Sequence, residues 1–439
     1  MEKLSINNKN KLFVAKINRY MFVILLLMVA CFFTWSENIV ITRLIKVVGR
    51  LGVLFASYLV YNKIIKYGAL GSLKWHNTMS PLMYVGYILL GFMSIIWSSS
   101  RGYSLLQWLM TVETLFFAYF FIKSLYLLDQ FFFKHPVRLY NLLGNVAVVL
   151  MLIFIIGEFV APDSFTRLTH GGEEQRMGGY MMNPNELGML AGIGIAGLVF
   201  DFYRSHKVVA TTIKLLILFY AIYASGSRSS FIGAVLIIMF HISQTSNKKL
   251  KLGIAILVLL VMPVAVNKMI FKDGDTTRVE EVMSMTGRLP FWKALITEGL
   301  PQKPMLGYGF MRIANEDYFQ GRHTYPGKMT HNTFMQVLMN LGFVGLTVVI
   351  FQVFYTLRAI FAENKEKKLM LLSFLIPLII NSLTEFGIFG ESNYGILFYQ
   401  LIILYISFQP NEIISPMERV YLAKRRPELT SIHKIQVSN

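Results

Sequence analysis

Long apolar runs, separated by short polar connections, make up most of the chain. An α-helix of about twenty apolar residues crosses a bilayer core of roughly 30 Å, so each run of that length predicts a membrane-spanning helix. The first run is expected to be a retained span, because no small-residue cleavage site follows it and further spans come at once. The runs fall near residues 20–35, 43–62, 81–98, 104–127, 138–160, 185–203, 208–224, 229–246, 250–271, 332–357, 369–386 and 393–409. The predicted fold class is an all-α polytopic membrane protein with about 12 transmembrane helices.

The polar connections divide the chain into four parts. Residues 1–271 hold the first nine predicted helices, and residues 332–410 hold the last three. Between them, residues 272–331 form one large polar loop, and residues 411–439 form a polar tail. Because binding and catalytic residues concentrate in loops held by a rigid scaffold, we expect the large outer loop to carry catalytic elements.

Composition supports the membrane class. Hydrophobic residues make up 55% of the chain, charged residues only 15%, and the mean hydropathy is +0.53. A water-soluble surface does not carry so many apolar residues, so a soluble globular protein is excluded. Cys31 is the only cysteine, so the chain can form neither an internal disulfide nor a cysteine-based metal site.

Lysine and arginine recur in alternate connections along the chain. Cytoplasmic loops retain these residues, so the pattern predicts an even number of spans with both termini in the cytoplasm. The same placement accounts for much of the net charge of +18, which points to a lipid bilayer and to no nucleic acid as the partner. The basic segments contain Lys3, Lys9, Lys11, Lys16, Arg19, Lys63, Lys66, Lys74, Lys123, Lys134, Arg138, Arg204, Lys207, Lys248, Lys249, Lys251, Lys365, Lys367, Lys368, Arg419, Lys424, Arg425 and Arg426.

The loops predicted to face outward, at 161–184, 225–228, 272–331 and 387–392, are rich in arginine. A guanidinium group suits bidentate binding of phosphate oxygens, and several together would hold a diphosphate. His331 lies where the large loop meets the next predicted helix, and an imidazole of ordinary pKa about 6.5 suits general base catalysis near neutral pH. The outer arginines are Arg167, Arg176, Arg228, Arg278, Arg288, Arg312 and Arg322.

Four polar segments of this predicted outer surface occur in a recognisable order. The segments are Arg176 with Asn183-Pro184-Asn185, Ser225-Gly226-Ser227-Arg228-Ser229-Ser230, Thr286-Gly287-Arg288 with Trp292, and Pro304-Met305-Leu306-Gly307-Tyr308-Gly309 leading to His331-Asn332, with Gly342 and Gly345 beyond. Their order and spacing resemble the O-antigen ligase superfamily over roughly residues 170–350. That superfamily also contains O-antigen and exopolysaccharide polymerases and protein O-oligosaccharyltransferases.

The resemblance implies a metal-independent, inverting glycosyltransferase of the GT-C type. Such an enzyme takes a glycan from undecaprenyl diphosphate and joins it to an acceptor hydroxyl, without a cofactor, at the outer face of the bacterial inner (cytoplasmic) membrane. By the same resemblance, His331 matches the family's catalytic histidine. Arg176, Arg228 and Arg288 match arginines that hold the donor diphosphate.

Further residues are candidates for substrate binding. Arg43, Lys46 and Arg50 recur at helical spacing and would guide the lipid diphosphate, or would lie at the membrane interface if their helix begins later. Tyr308 would stack on a sugar or serve packing, and His323 would bind the acceptor sugar or face water. The full set is Arg278, Arg322, His323, Asn332, Tyr308, Arg43, Lys46 and Arg50.

The acidic residues are expected to be structural. Glu113 lies deep in a predicted span, where a buried hydrogen bond to a neighbouring helix is the expected role. Glu385 and Glu391 bracket the last outer turn and are expected to be solvated. Asp273 and Asp275 flank a glycine just past a predicted helix, which is typical of a solvated turn rather than a metal site.

The acceptor stays open at this stage. A ligase passes the glycan to lipid A-core, a polymerase passes it to a second lipid-linked glycan, and a protein transferase passes it to Ser or Thr; the motifs favour the ligase.

A polysaccharide lipid flippase or transporter is the alternative from another class. Transporters usually show related halves and broken helices at the midplane, whereas here the polar residues gather at the outer ends of the predicted spans. A membrane scaffold would leave the arginines and His331 unexplained.

Overall fold

The computed structural model describes residues 2–67, 73–131, 138–169, 174–202, 208–244, 252, 288–310, 330–385 and 387–410. Apart from residue 252, the predicted span at 250–271 lies outside these residues. So do most of the large polar loop and the tail at 411–439.

Helices account for most of the described residues. Nine helices in the described part of the chain are long and apolar enough to cross a membrane, and Arg228–Gln244 and Tyr394–Ser407 are shorter apolar helices. Each of these helices covers one of the predicted apolar runs, so the all-α polytopic membrane fold is confirmed. The count of twelve stays a prediction, because the remaining run falls outside the described residues. The nine candidate spans are Leu12–Ala30, Val40–Tyr67, Met79–Ile96, Arg101–Leu128, Leu139–Val160, Pro184–Phe202, Val208–Ser225, Thr333–Ala362 and Lys365–Thr384.

We number the elements in chain order. The helices are α1 (Glu2–Ala30), α2 (Ile39–Leu44), α3 (Arg50–Tyr67), α4 (Met79–Met93), α5 (Arg101–Phe131), α6 (Leu139–Val160), α7 (Pro162–Phe165), α8 (Pro184–Phe202), α9 (Val208–Ser225), α10 (Arg228–Gln244), α11 (Arg288–Ala294), α12 (Thr333–Ala362), α13 (Lys365–Thr384) and α14 (Tyr394–Ser407). A π-helical turn, Ile45–Gly49, joins α2 to α3, and a second one, Leu295–Gly299, follows α11. The strands are β1 (Leu73–Trp75), β2 (Thr166–Thr169), β3 (Glu174–Met177) and β4 (Phe408–Pro410).

Helix α8 lies at the centre of one half of the bundle, in contact with α6, α9, α10 and α13. Its small residues allow this close packing: a side chain at Gly197 would overlap the backbone of Tyr140 on α6. The side chain of Asn183 caps the start of α8 by accepting from the backbone N–H of Asn185, at 2.9 Å. Because α8 is fixed on several sides, the polar residues at its start have defined positions.

The bundle has two chemically different ends. Helices α12 and α13 form an antiparallel pair, so the start of α12 at Thr333 and the end of α13 at Thr384 lie together. Lys365, Lys367 and Lys368 lie at the other end of α13. The antiparallel pair of β1 and β4 also lies at that lysine-bearing end, because β4 directly follows the end of α14.

Helix α12 is broken at Gly342, whose φ of 64° and ψ of −164° are not helical. The Pro304–Gly309 segment fills the break: the N–H of Phe343 donates to the carbonyl of Pro304 at 2.9 Å, and the N–H of Gly309 donates to the carbonyl of Asn340 at 2.8 Å. A side chain at Gly342 would overlap the carbonyl of Met305. The backbone conformation of the Pro304–Gly309 segment and that of the break at Gly342 therefore depend on each other.

Replacing Gly342 with alanine should destabilise the protein. The φ and ψ of Gly342 lie in a region that is essentially restricted to glycine, where another residue costs about 1–3 kcal/mol, and the added methyl group would also push the Pro304–Gly309 segment away. We expect a lower midpoint of thermal unfolding in detergent. Gly86→Ala in α4 is the matched control, because a side chain there meets nothing within 4 Å and alanine favours a helix. Equal midpoints for the two variants would contradict the prediction.

Candidate functional site

His331 and Glu385 form a close pair where α12 begins and α13 ends. The Nδ1 atom of His331 lies 2.6 Å from the Oε2 atom of Glu385. The side chain of Glu385 is only 2% exposed, whereas that of His331 is 17% exposed, so the imidazole lies between a buried carboxylate and the surface. This geometry resembles the histidine and carboxylate pairs that perform general base catalysis.

The backbone of His331 is in an uncommon conformation. Its φ is 49°, and it is the only non-glycine residue with a positive φ in the part of the chain that the structure describes. The flanking residues hold it there: the carbonyl of Thr330 accepts from Nε1 of Trp292 at 2.6 Å, and the Asn332 side chain caps α12. Such conformations are costly and concentrate at functional sites.

Arg288 holds the other oxygen of the same carboxylate. Its Nη2 atom lies 2.6 Å from Oε1 of Glu385, and its Nη1 atom donates to the carbonyl of Thr384. Burial raises the pKa of the Glu385 carboxyl, but the hydrogen bond and charge of His331 and the charge of Arg288 outweigh it, so this pKa is lowered overall. Glu385 is therefore ionised at neutral pH.

Arg176, on β3, reaches the same carboxylate through Asn185. Its Nη2 atom donates to Oδ1 of Asn185 at 2.9 Å, and Nδ2 of Asn185 donates to Oε1 of Glu385 at 2.7 Å. The Nε atom of Arg176 donates to the carbonyl of Ser225 at 2.7 Å. Gly226 makes this approach possible, since a side chain there would lie 2.9 Å from Nε of Arg176.

Arg228 is the first residue of α10 and is partly exposed. Among the described residues, the structure gives its guanidinium group neither a hydrogen-bond acceptor nor an ion-pair partner. The adjacent serines hold the turn instead: the Ser227 and Ser230 hydroxyls lie 2.8 Å apart, and Ser230 reaches the carbonyl of Asn185 at 3.5 Å. The turn fixes the backbone of Arg228 beside the start of α8, with its guanidinium group available to a ligand.

The remaining candidates from the large loop have different outcomes. Arg278, Arg322 and His323 lie outside the described residues. Asn332 caps α12 by accepting from two backbone N–H groups, and its amide donates to the carbonyl of Leu383 at 3.2 Å. Tyr308 is 3% exposed and donates to the carbonyl of Gly299 at 2.6 Å, which favours packing over stacking on a sugar.

Arg43, Lys46 and Arg50 do not share one environment, because the π-helical turn contains Lys46 and separates Arg43 from Arg50. Arg43 is exposed, and Nζ of Lys46 donates to the hydroxyl of Thr34 at 3.3 Å. Arg50 is fully buried, with its Nε atom 3.6 Å from Oε2 of Glu113. Its Nη1 atom donates to the hydroxyl of Ser392 at 3.3 Å. Burial and the ion pair with Glu113 favour a structural role for Arg50 over guidance of the lipid diphosphate. Glu113 likewise joins α5 to α3 through this ion pair.

Glu385 is a residue of the candidate site that the sequence did not identify. We expected it to be a solvated end, and this was wrong because His331, Arg288 and Asn185 surround its carboxylate. The sequence could have indicated this burial, because the apolar residues Ile388 and Phe389 follow Glu385 closely. Both are fully buried in the structure. Glu391 is partly buried and accepts from the hydroxyl of Tyr103.

The fold and the site define a polytopic α-helical membrane protein that has a histidine and carboxylate pair with arginines at one end of its bundle. Residues 213–350 match the model of the O-antigen ligase family (Wzy_C). The matched region runs from α9 into α12 and includes Arg228, Arg288 and His331, so the resemblance found in the sequence is confirmed. The match supports a membrane enzyme of the O-antigen ligase or polymerase type. No curated protein matches the chain.

Proposed function

We propose that this protein is a glycosyltransferase that moves a glycan from undecaprenyl diphosphate to an acceptor hydroxyl, and that it acts as an O-antigen ligase with lipid A-core as acceptor. The observation that carries the proposal is the 2.6 Å contact of His331 with the buried Glu385, within a set of arginines. His331 lies in the region that matches the O-antigen ligase family. Lipopolysaccharide would be the product.

His331 is the general base of the proposed reaction. Glu385 accepts from the N–H at Nδ1, and this fixes the tautomer in which Nε2 is the basic nitrogen. Nε2 takes the proton of the acceptor hydroxyl while its oxygen forms a bond to the anomeric carbon. The bond from that carbon to the diphosphate oxygen breaks, its electron pair leaves with the diphosphate, and the configuration inverts. Glu385 stabilises the imidazolium that forms.

Arginines would stabilise the leaving diphosphate. Negative charge grows on its oxygens as the glycosidic bond breaks, and guanidinium groups placed beforehand bind such oxygens without reorganisation. The arginine cluster around the His331 and Glu385 pair supplies these groups, as in the metal-independent GT-C mechanism expected from the resemblance. A chelator should therefore leave turnover unchanged, and loss of turnover that Mg²⁺ or Mn²⁺ restores would contradict this.

The site is proposed to face outward from the bacterial inner membrane, with both termini in the cytoplasm. Support comes from the lysines at the opposite end of α13, because cytoplasmic ends retain basic residues. The lipid-linked donor would then reach His331 from the outer leaflet.

Cysteine labelling checks this orientation. Leu168 on β2 is exposed at the site end of the protein, and Lys74 on β1 is exposed at the opposite end. We expect Leu168→Cys to react with an impermeant maleimide in intact cells, and Lys74→Cys to react only after permeabilisation. The native Cys31 is buried and should give little background. The reverse labelling pattern would invert the proposed topology.

The proposed function is tested by glycan transfer with purified protein and an undecaprenyl-diphosphate oligosaccharide. Lipid A-core, a second lipid-linked glycan and a Ser/Thr peptide are offered as separate acceptors. Glycosylated lipid A-core alone establishes the ligase. A ladder of longer lipid-linked chains would make the protein a polymerase, and a modified peptide would make it a protein transferase. No product with any acceptor would remove the transferase proposal.

A further inference from the structure

Arg167 and Arg176 lie opposite one another in the hairpin of β2 and β3. The two strands pair antiparallel, and the register places the Cα atom of Arg167 against that of Arg176. Residues directly opposite in an antiparallel pair point to the same face, with Cβ atoms about 4.5–5.5 Å apart. Two like charges at such positions destabilise a hairpin unless an anion lies between or beside them.

The two arginines differ in what they bind. Arg176 donates to the carbonyl of Ser225 and to Asn185, so it helps to position Asn185, which donates to Glu385. Arg167 is exposed, and among the described residues it has no hydrogen-bond acceptor and no carboxylate within ion-pair distance. The register of β2 and β3 places Arg167 beside Arg176, which connects to Glu385 through Asn185.

Arg228 follows the turn that contacts Arg176. The Ser225-Gly226 backbone touches the Arg176 guanidinium group, and Arg228 follows two residues later. Like Arg167, it has no acceptor among the residues that the structure describes. Arg167 and Arg228 are thus each connected to Arg176 through neighbouring backbone, and their donors are available to a ligand.

We propose that Arg167 joins Arg228 in binding phosphate oxygens of a substrate, and that Arg176 is a positioning residue. This rests on the proposed function, because the phosphate belongs to a substrate of the transfer. Each guanidinium group can hold two oxygens in a bidentate contact, so the pair suits a diphosphate. The phosphate chemistry comes either from the lipid diphosphate donor or from phosphate groups on the acceptor.

Kinetics and product binding of Arg167→Ala test the assignment. Arg101→Ala, at another exposed arginine that begins α5, is the matched control. The measurements are KM for the donor, KM for lipid A-core with and without its phosphates, and inhibition by undecaprenyl diphosphate compared with undecaprenyl monophosphate. For a donor diphosphate contact we expect donor KM and the inhibition constant of undecaprenyl diphosphate to rise about tenfold, and Arg167→Lys to recover part of the loss.

The positioning role of Arg176 is tested by the pH profile of kcat, which a merely structural role would not change. Because it acts through Asn185 on Glu385, Arg176→Lys should shift the pH profile of kcat, whereas Arg167→Ala should leave that profile in place. An Arg176→Lys variant with an unshifted profile and a donor KM raised like that of Arg167→Ala would overturn the positioning role.

The same KM and inhibition constants identify which substrate carries the bound phosphate and decide whether the proposal holds. A raised KM for lipid A-core only when it carries its phosphates, with donor KM unchanged, assigns the contact to the acceptor and supports the proposal. Constants equal to those of Arg101→Ala overturn it while leaving the transferase intact. A wild-type protein that neither transfers glycan nor binds undecaprenyl diphosphate removes both the proposed function and this inference.

Discussion

Replacing His331 with alanine is expected to lower kcat for glycan transfer by about 100- to 10,000-fold, the range that a general base contributes. The acceptor hydroxyl is a poor nucleophile at neutral pH, and Nε2 of His331 is the proposed acceptor of its proton. The loss should fall on kcat rather than on donor KM, because the diphosphate is held by arginines. Glycan transfer with purified protein at saturating donor measures it.

The positive φ of His331 calls for a second variant. Alanine disfavours a φ of 49°, so His331→Ala removes the imidazole and also strains the backbone. Asparagine tolerates this region, so His331→Asn keeps the backbone conformation but lacks a base. We expect both variants to be equally inactive. An asparagine variant with near wild-type turnover would exclude His331 as the base. His76→Ala, at an exposed histidine beside β1, is the control and should keep full activity.

The helices were predictable from the sequence because their length is set by the bilayer. Each apolar run between polar connections is long enough to cross it, and the described residues have helices at the predicted places. Residues from the motifs that carry the resemblance also lie together in the structure. Arg176, Arg288 and His331 join one network through Asn185 and Glu385, although they lie on separate elements.

The partners within the site were not predictable. Glu385 is 54 residues from His331 in sequence, and the antiparallel packing of α12 and α13 brings them together. The environment of Arg50 was missed for a related reason: a π-helical turn changes which face each residue of that span presents, and a helical spacing of 3.6 residues does not include it. Tyr308 was ambiguous because its burial depends on the break in α12 at Gly342, which the Pro304–Gly309 segment fills.

Replacing Glu385 with glutamine should reduce kcat by on the order of 1,000-fold while donor KM changes little. Glutamine has nearly the same shape, so packing against Arg288 and Asn185 is retained. Its neutral amide cannot stabilise the imidazolium of His331, and it allows the tautomer in which Nδ1 accepts and Nε2 carries the proton. Glu391→Gln is the matched control and should retain glycan transfer, because Glu391 lies in the same turn but accepts a hydrogen bond from Tyr103.

The same substitution makes a prediction about stability and pH. Because the pKa of Glu385 is lowered in the folded protein, its ionised form stabilises the fold above the ordinary value of 4.5, and this contribution is lost as pH falls through the lowered pKa. Glu385→Gln should therefore unfold at a lower temperature than the wild type at neutral pH, and the difference should narrow as pH falls below 4.5. A difference that stayed constant across this range would mean that the Glu385 charge does not contribute to holding Arg288 and His331. A glutamine variant with both full turnover and wild-type stability would show that the buried pair neither orients the imidazole nor stabilises its charge, and the base in the reaction would have to be sought elsewhere in the outer loops.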